Sequence, residues 1–173
     1  MKPVEVEKII QTTGPLLFRF CLSLTKNPHL AEELYQDTFL LFLSNKEKLE
    51  EGGNLKGYLF SIAARKWKDE KRKFARRSTI APISDEPLEN IYTEEDTESL
   101  AEKNWIREDV QKVIDELDDP LKIVLLLKYM GDCTLEEIGE YCNIPVGTVK
   151  SRLFTARKKC KERLEGLGYG PGT

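Results

Sequence analysis

With 173 residues, 40% of them hydrophobic and 33% charged, and a formal net charge of −3, the chain fits a soluble, helix-rich globular protein of one ordinary domain or two small ones. Scattered cysteines with no CxxC pair and a single histidine, His29, give neither zinc-ligand spacing nor a disulfide framework, so reduced thiols in a cytoplasmic protein are expected. The longest apolar run, Ile123 to Met130, is interrupted by Lys128, and the N-terminus lacks a basic region followed by an apolar block; neither membrane insertion nor a signal peptide is expected.

In chain order, residues 4–26 carry Ile9, Leu16, Leu17, Phe20 and Leu24 at helical spacing, with a kink or restart expected at Gly14-Pro15. "KNP" (Lys26 to Pro28) ends that segment. "HLAEELYQDTFLLFLSN" then places Leu30, Leu34, Phe39, Leu41, Phe42 and Leu43 on a broad buried face, with acids outside. "KLEEGGN" reads as a loop punctuated by Gly52-Gly53. A long helix is expected from about Leu55 to Arg76, with Leu59, Ile62, Ala63, Trp67 and Phe74 on one side and Arg65, Lys68, Arg72 and Arg76 nearly opposite. Asp69 can pair with Lys73 one turn on.

Residues 78–100 hold two prolines, many acids and little periodicity, which reads as a linker. Periodicity resumes at Trp105, with Ile106, Val110, Val113, Ile114 and Leu117 in one stripe, and Asp119-Pro120 breaks it. Leu121 to Met130 is apolar nearly all round and is expected to be a core helix. Two short helices joined at Asn143-Ile144-Pro145 follow, and Gly166 to Thr173 reads as a frayed tail. Nothing reads as strand. The expected fold is all-α, with helical domains over 1–77 and 105–166, an acidic linker over 78–104 and a tail over 167–173.

The small net charge conceals segregation. Arg65, Lys66, Lys68, Lys71, Arg72, Lys73, Arg76 and Arg77 form one basic cluster, and Lys150, Arg152, Arg157, Lys158, Lys159, Lys161 and Arg163 form another. Between them, Asp85 to Glu102 carries acids and no base. A polyanion would meet two positive patches, whatever the average. The linker acids would repel DNA, or serve simply as a soluble spacer.

The second cluster follows a helix-turn-helix pattern. Thr134 with Glu137 three residues on makes a capping box. Ile138 and Cys142 face inward, and Gly139 stands where a close crossing is needed. Asn143 suits a left-handed backbone past the helix end, and Ile144 packs back. Pro145 costs nothing at a helix start, and Val149 and Leu153 bury the second helix. Gly147, in its first turn, leaves room for a close approach by a phosphate, a backbone or the preceding helix. Lys150, Ser151, Phe154 and Thr155 then fall on the outward side, flanked by Arg152, Arg157, Lys158 and Lys161. Such residues can reach base edges and thymine methyls while the cations take phosphates. An enzyme is a poor reading. There is one histidine, no paired-carboxylate motif, no Gly-rich phosphate loop and no metal spacing, and no cofactor is expected.

The chain resembles the extracytoplasmic-function (ECF) sigma factors of bacterial RNA polymerase on three motifs. "AEELYQDTFLLFL" (Ala31 to Leu43) looks like the polymerase-binding helix, and "NLKGYLFSIAARKWKDEKRK" (Asn54 to Lys73) is similar to the promoter −10 helix. "TLEEIGEYCNIPVGTVKSRLFTARKKCKERL" matches the −35 helix-turn-helix, with its GTVKSRL…AR core nearly unaltered. The resemblance implies a factor that binds core polymerase, directs it to promoters and helps open the DNA, commonly held in check by an anti-sigma factor. It assigns Glu33, Gln36 and Asp37 to core polymerase. It assigns Asn54, Tyr58, Arg65, Lys68, Arg72 and Arg76 to the −10 element, and Lys150, Ser151, Arg152, Phe154, Thr155, Arg157 and Lys158 to the −35 element. For Asn54, helix capping is an alternative to base capture; for Trp67, a core position is an alternative to stacking. Arg65 stands where the family often has asparagine, Tyr58 replaces a common tryptophan, and Thr155 occupies an often basic position. The rival reading is a helix-turn-helix regulator that binds an operator without polymerase.

Overall fold

The computed structural model describes residues 3–45, 53–77 and 101–170, side chains of 3, 4 and 101–106 excepted. Among the described residues every regular element is an α-helix: α1 (Pro3–Thr25), α2 (Pro28–Asn45), α3 (Leu55–Arg77), α4 (Ala101–Asp115), α5 (Asp119–Tyr129), α6 (Leu135–Cys142) and α7 (Val146–Gly166). The first three pack on one another, α4, α5 and α6 pack on α7, and α1 and α3 meet the second group along α4, α5 and α6. The acidic stretch 78–100 and most of the loop before Asn54 lie outside the described residues.

α1 does not restart at Gly14-Pro15 as the sequence suggests; it runs through, with Pro15 inside it. The residue before a proline resists helical dihedrals because its Cβ meets the ring, and Gly14 has none. Gly14 is also buried where a Cβ would come 2.9 Å from the Tyr35 hydroxyl, so α2 lies close. Leu17, Phe20 and Leu24 seal into the core, and Phe20 meets Phe60 of α3 edge-on at 4.9 Å between centroids. The chain turns at Lys26, whose φ is 52°, and the Asn27 side-chain oxygen accepts from the amides of His29 and Leu30 to cap α2.

α2 is less buried than its apolar content suggests. Leu34, Phe39 and Phe42 face the core, but Leu30 and Leu41, expected inside, are exposed, as is Leu40. A helix packed along one side has room for a single stripe, and "FLLFL" holds more aliphatics than that stripe can take. On α3, Leu59, Ile62 and Ala63 are buried and Trp67 is half-buried, but Phe74, two turns further on, is exposed. The pairing of Asp69 with Lys73 does not form; among the described residues the ion pairs of α3 are Lys66 with Asp37 and Glu70, Lys56 with Asp132, and Lys71 with Asp119.

In the second group, Val113 and Leu117 are buried, whereas Trp105 and Ile106 lie outside the described side chains. α5 carries Val124, Leu125, Leu126 and Leu127 in the core, together with one fully buried cation, Lys122. Its Nζ donates to the main-chain oxygen of Ser23 at 2.9 Å. That carbonyl belongs to the last turns of α1, a helix with no basic residue of its own in its final turn. Lys122 thus caps α1 from the other half of the molecule. Gln111 completes the junction, donating to the Ser23 hydroxyl at 2.6 Å and to Asp115 at 2.9 Å.

Candidate nucleic-acid interface

The helix-turn-helix is built as the turn chemistry requires. The Thr134 hydroxyl accepts from the Glu137 amide at 3.1 Å while the Glu137 carboxylate accepts from the Thr134 amide at 2.9 Å, closing the capping box. Asn143 sits at φ 54°, ψ 50°, the left-handed position that ends α6. A Cβ on Gly139 would lie 3.0 Å from the Ile144 carbonyl oxygen, so the glycine makes room for the returning turn, with Val146 of α7 just beyond. Pro145 is the N-cap of α7, in extended geometry, which needs no donor. Among the described residues nothing lies within 4 Å of where a Gly147 Cβ would stand, so none of them uses the room it leaves.

Val149, Leu153 and Ala156 anchor α7, which turns Lys150, Ser151, Phe154 and Thr155 to solvent; Phe154 is 69% exposed. The Ser151 hydroxyl donates to the Thr148 carbonyl and the Thr155 hydroxyl to the Ser151 carbonyl, which leaves both oxygens facing out as acceptors. Arg157 is not a free flank residue. Its Nε donates to the Tyr129 hydroxyl at 2.7 Å and its guanidinium lies 5.5 Å from that ring centroid. Sequence reasoning missed Tyr129, which closes α5 as an exposed aromatic in an otherwise core-facing helix. Arg152 is half-buried; Lys158 is exposed and, among the described residues, Lys150 and Lys158 form no ion pair.

On α3, Lys68, Arg72 and Arg76 are exposed, and Tyr58 is half-buried with its ring 6.3 Å from that of Phe42. Asn54 caps the helix: its side-chain oxygen accepts from the Gly57 amide at 2.9 Å. Its amide nitrogen faces the main-chain oxygens of Gly131 and Asp132 at 3.1 Å each, and the Glu137 carboxylate at 3.4 Å. Arg65 donates to the Tyr141 carbonyl at 3.3 Å and lies over that ring. Trp67 donates to the Asp119 carboxylate at 3.3 Å from its half-buried position, between core and surface. Asp119, Asp132 and Lys122 gave no functional signal in the sequence, though a lysine near the start of an apolar helix is itself a clue.

On α2, Glu33 and Gln36 are exposed, and Asp37 is 3.7 Å from the Lys66 ammonium, so it ties α2 to α3. Beside Gln36 a groove of about 450 Å³ runs between Gly14, Pro15, Phe18, Glu32 and Tyr35. Burial pushes the Cys21 thiol up to about 12, and burial followed by nearby Glu137 and Asp132 does the same for Cys133. Both remain protonated and unreactive near neutrality. Among the described residues no cluster of His, Cys, Asp and Glu could hold a metal ion, and no helix is long and apolar enough to cross a membrane.

Residues 9–77 match the family described as Sigma-70 region 2, and residues 107–160 that described as Sigma-70, region 4. The ECF RNA polymerase sigma factor SigM of Bacillus subtilis is 30% identical over 156 residues, 90% of this chain and 93% of that protein. SigW of the same organism, also an ECF RNA polymerase sigma factor, is 28% identical over 87% of this chain and 84% of that one. Among solved structures, the sigma factor RpoE in complex with the anti-sigma factor NepR from Bartonella quintana superposes with a TM-score of 0.71, at 24% identity, over 93% of this chain and 97% of that one.

Proposed function

The chain belongs to the ECF RNA polymerase sigma factors, polymerase-binding proteins for promoter recognition, and from that premise we propose which of its surfaces carry each step. Residues 1–77 form the unit that meets core polymerase and the −10 element, 105–166 the unit that meets the −35 element, with 78–104 between them and 167–173 as a tail. The observation that carries this reading is α7: Val149 and Leu153 are sealed inside, which leaves Lys150, Ser151, Phe154 and Thr155 as an open reading edge. Phe154 meets thymine methyls, the lysine donates to guanine, and the two hydroxyl oxygens accept from adenine or cytosine amino groups. Arg157 and Lys158 take phosphates, and Arg152 supports the edge from its half-buried place.

Glu33, Gln36 and the exposed Leu40 and Leu41 form the polymerase-facing side of α2, acids meeting cations and aliphatics meeting an apolar patch. Asp37 contributes chiefly by fixing α2 against α3. Arg65, Lys68, Arg72 and Arg76 meet the backbone near the −10 element, with Asn54 and Tyr58 at the end of α3 where an unstacked base would arrive. Each patch alone binds duplex weakly and with strong salt dependence; polymerase makes the second contact intramolecular. The protein acts in the cytoplasm as a non-enzymatic factor, and an anti-sigma factor of the kind bound to the RpoE structure is its inhibitory partner. An operator-binding regulator is the weaker reading, because both sigma regions are matched in one chain.

Transcription in vitro with purified core polymerase on a genomic fragment library tests this. Initiation at a shared promoter motif that depends on added protein is the expected result. Operator-like binding with no association with core polymerase would overturn it.

A further inference from the structure

Tyr129 ends α5 in a way that the core role of that helix does not explain. Val124, Leu125, Leu126 and Leu127 are buried, but the tyrosine is 58% exposed. It stands beside Arg157 of α7, whose Nε donates to the phenol oxygen at 2.7 Å and whose guanidinium lies 5.5 Å from the ring centroid. We propose that the two residues form one phosphate subsite, in which Tyr129 itself touches the DNA backbone and also holds Arg157 ready for it. The proposal rests on α7 being the helix that meets DNA.

The donors left over at this pair point to an anion. Arg157 commits its Nε to the phenol and, among the described residues, forms no ion pair, so the rest of its planar fork is available. The phenol oxygen accepts from the arginine, and among the described residues its own proton has no acceptor. An O–H whose oxygen already accepts from a cation is a more strongly polarised donor. A phosphate presents paired oxygens to the fork and a further oxygen to the phenol. Lys158, exposed and without an ion pair among the described residues, adds to the positive field there.

The pairing also prepares the arginine. A free arginine on an exposed helix samples many rotamers, and ordering it on binding costs affinity. The phenol oxygen and ring hold the guanidinium against the end of α5 before DNA arrives. Phe154 and Lys150 lie back along the same stripe of α7, about 4.5 Å and about 10.5 Å along its axis. A phosphate fixed at Arg157 therefore sets the register in which those two side chains meet base edges, while carrying no sequence preference itself.

Binding of the full-length chain to fluorescein-labelled duplexes of two unrelated random sequences, read by anisotropy across a salt series, tests this. Arg157→Ala is expected to weaken both duplexes about tenfold and to lower the salt slope by about one unit. Tyr129→Phe keeps the ring and is expected to weaken both about threefold, with a smaller change in slope. On the Arg157→Ala background, Tyr129→Phe is expected to cost about twofold more with no further change in slope, because a neutral hydroxyl releases no counterion. Unchanged affinity for Tyr129→Phe, beside losses for Arg157→Ala and Lys158→Ala, would overturn the proposal and leave α7 as the DNA helix. A loss that disappears once Arg157 is alanine would overturn the direct contact and reduce Tyr129 to a positioning residue. A loss on one duplex alone would overturn the phosphate assignment in favour of base reading. If Arg157→Ala and Lys158→Ala both leave affinity and slope unchanged, α7 is not the DNA face, and the proposal falls with that reading.

Discussion

The buried ammonium of Lys122 reaches the main-chain oxygen of Ser23 at 2.9 Å, so that a cation from α5 completes the C-terminus of α1. Burial holds this lysine below its ordinary value and Lys26 adds repulsion, while Asp115 and Asp119 oppose the shift. The contact joins the two halves of the protein beside the hydrogen bond from Gln111 to the Ser23 hydroxyl. Lys122→Ala removes the stem from the core and leaves the Ser23 carbonyl without this donor. The expected cost is about 2–4 kcal/mol, read as a lower urea midpoint, with faster iodoacetamide modification of Cys133 at urea concentrations below the transition. An unchanged midpoint would show that the junction does not contribute to folding stability.

The turn between α6 and α7 makes a sharper demand on one residue. Asn143 holds φ 54° and ends α6 in the left-handed region. Asn143→Gly is expected to leave stability within a few tenths of a kcal/mol, because glycine adopts that region freely. Asn143→Val is expected to cost about 1–2 kcal/mol and to weaken binding to −35 DNA through misplacement of α7. Equal midpoints for the two variants would remove the turn from the account.

Much of this architecture was legible beforehand, and what was not has a common cause. The capping box, the left-handed Asn143 and the buried Val149 and Leu153 follow from local chemistry, in which each residue's requirement is met within a few positions. Pro15 misled because the relief lies in the neighbour, Gly14, and not in the proline. Leu30 and Leu41 misled because hydrophobicity alone does not say which of several aliphatics a finite contact face can accept. The roles of Asp119, Asp132 and Lys122 depend on partners some 50 to 100 positions away, and no periodicity carries that information. For Asn54 the sequence leaves capping and base capture open; its oxygen caps, and its nitrogen is engaged by the other half of the chain.

On the reading edge, the open side chains of α7 divide by role. Lys150→Ala and Phe154→Ala are each expected to lose about 1–3 kcal/mol of discrimination between −35 and scrambled duplexes. Lys158→Ala is expected to weaken both duplexes alike and to reduce the salt slope by about one unit. Tyr129→Phe keeps the ring under Arg157 but loses the hydroxyl that accepts from it, so it should follow the Lys158 pattern more weakly. A uniform loss for Lys150→Ala across both duplexes would move that residue from base reading to phosphate contact.

Alkaline solutions provide a test of how well the core is sealed. Burial lifts the Cys21 and Cys133 thiols to about 12, whereas an unfolded cysteine ionises near about 8.5. A thiol that keeps its proton only when folded favours the unfolded chain as pH rises: stability is full below the unfolded value and drains away between it and about 12. Each such group supplies a slope of about 1.4 kcal/mol per pH unit in that window. Lys122 works in the opposite sense, since its lowered value makes the folded state release a proton before the unfolded one does, but one lysine opposes four thiols, because burial raises Cys142 and Cys160 as well. The urea midpoint of the wild type is therefore expected to fall between about pH 8 and about pH 10, and the Cys21→Ala, Cys133→Ala double variant to fall less steeply or to rise. Parallel profiles for the two proteins would mean that water reaches both thiols in the folded state, and that Cys133 is not sealed against Gly57.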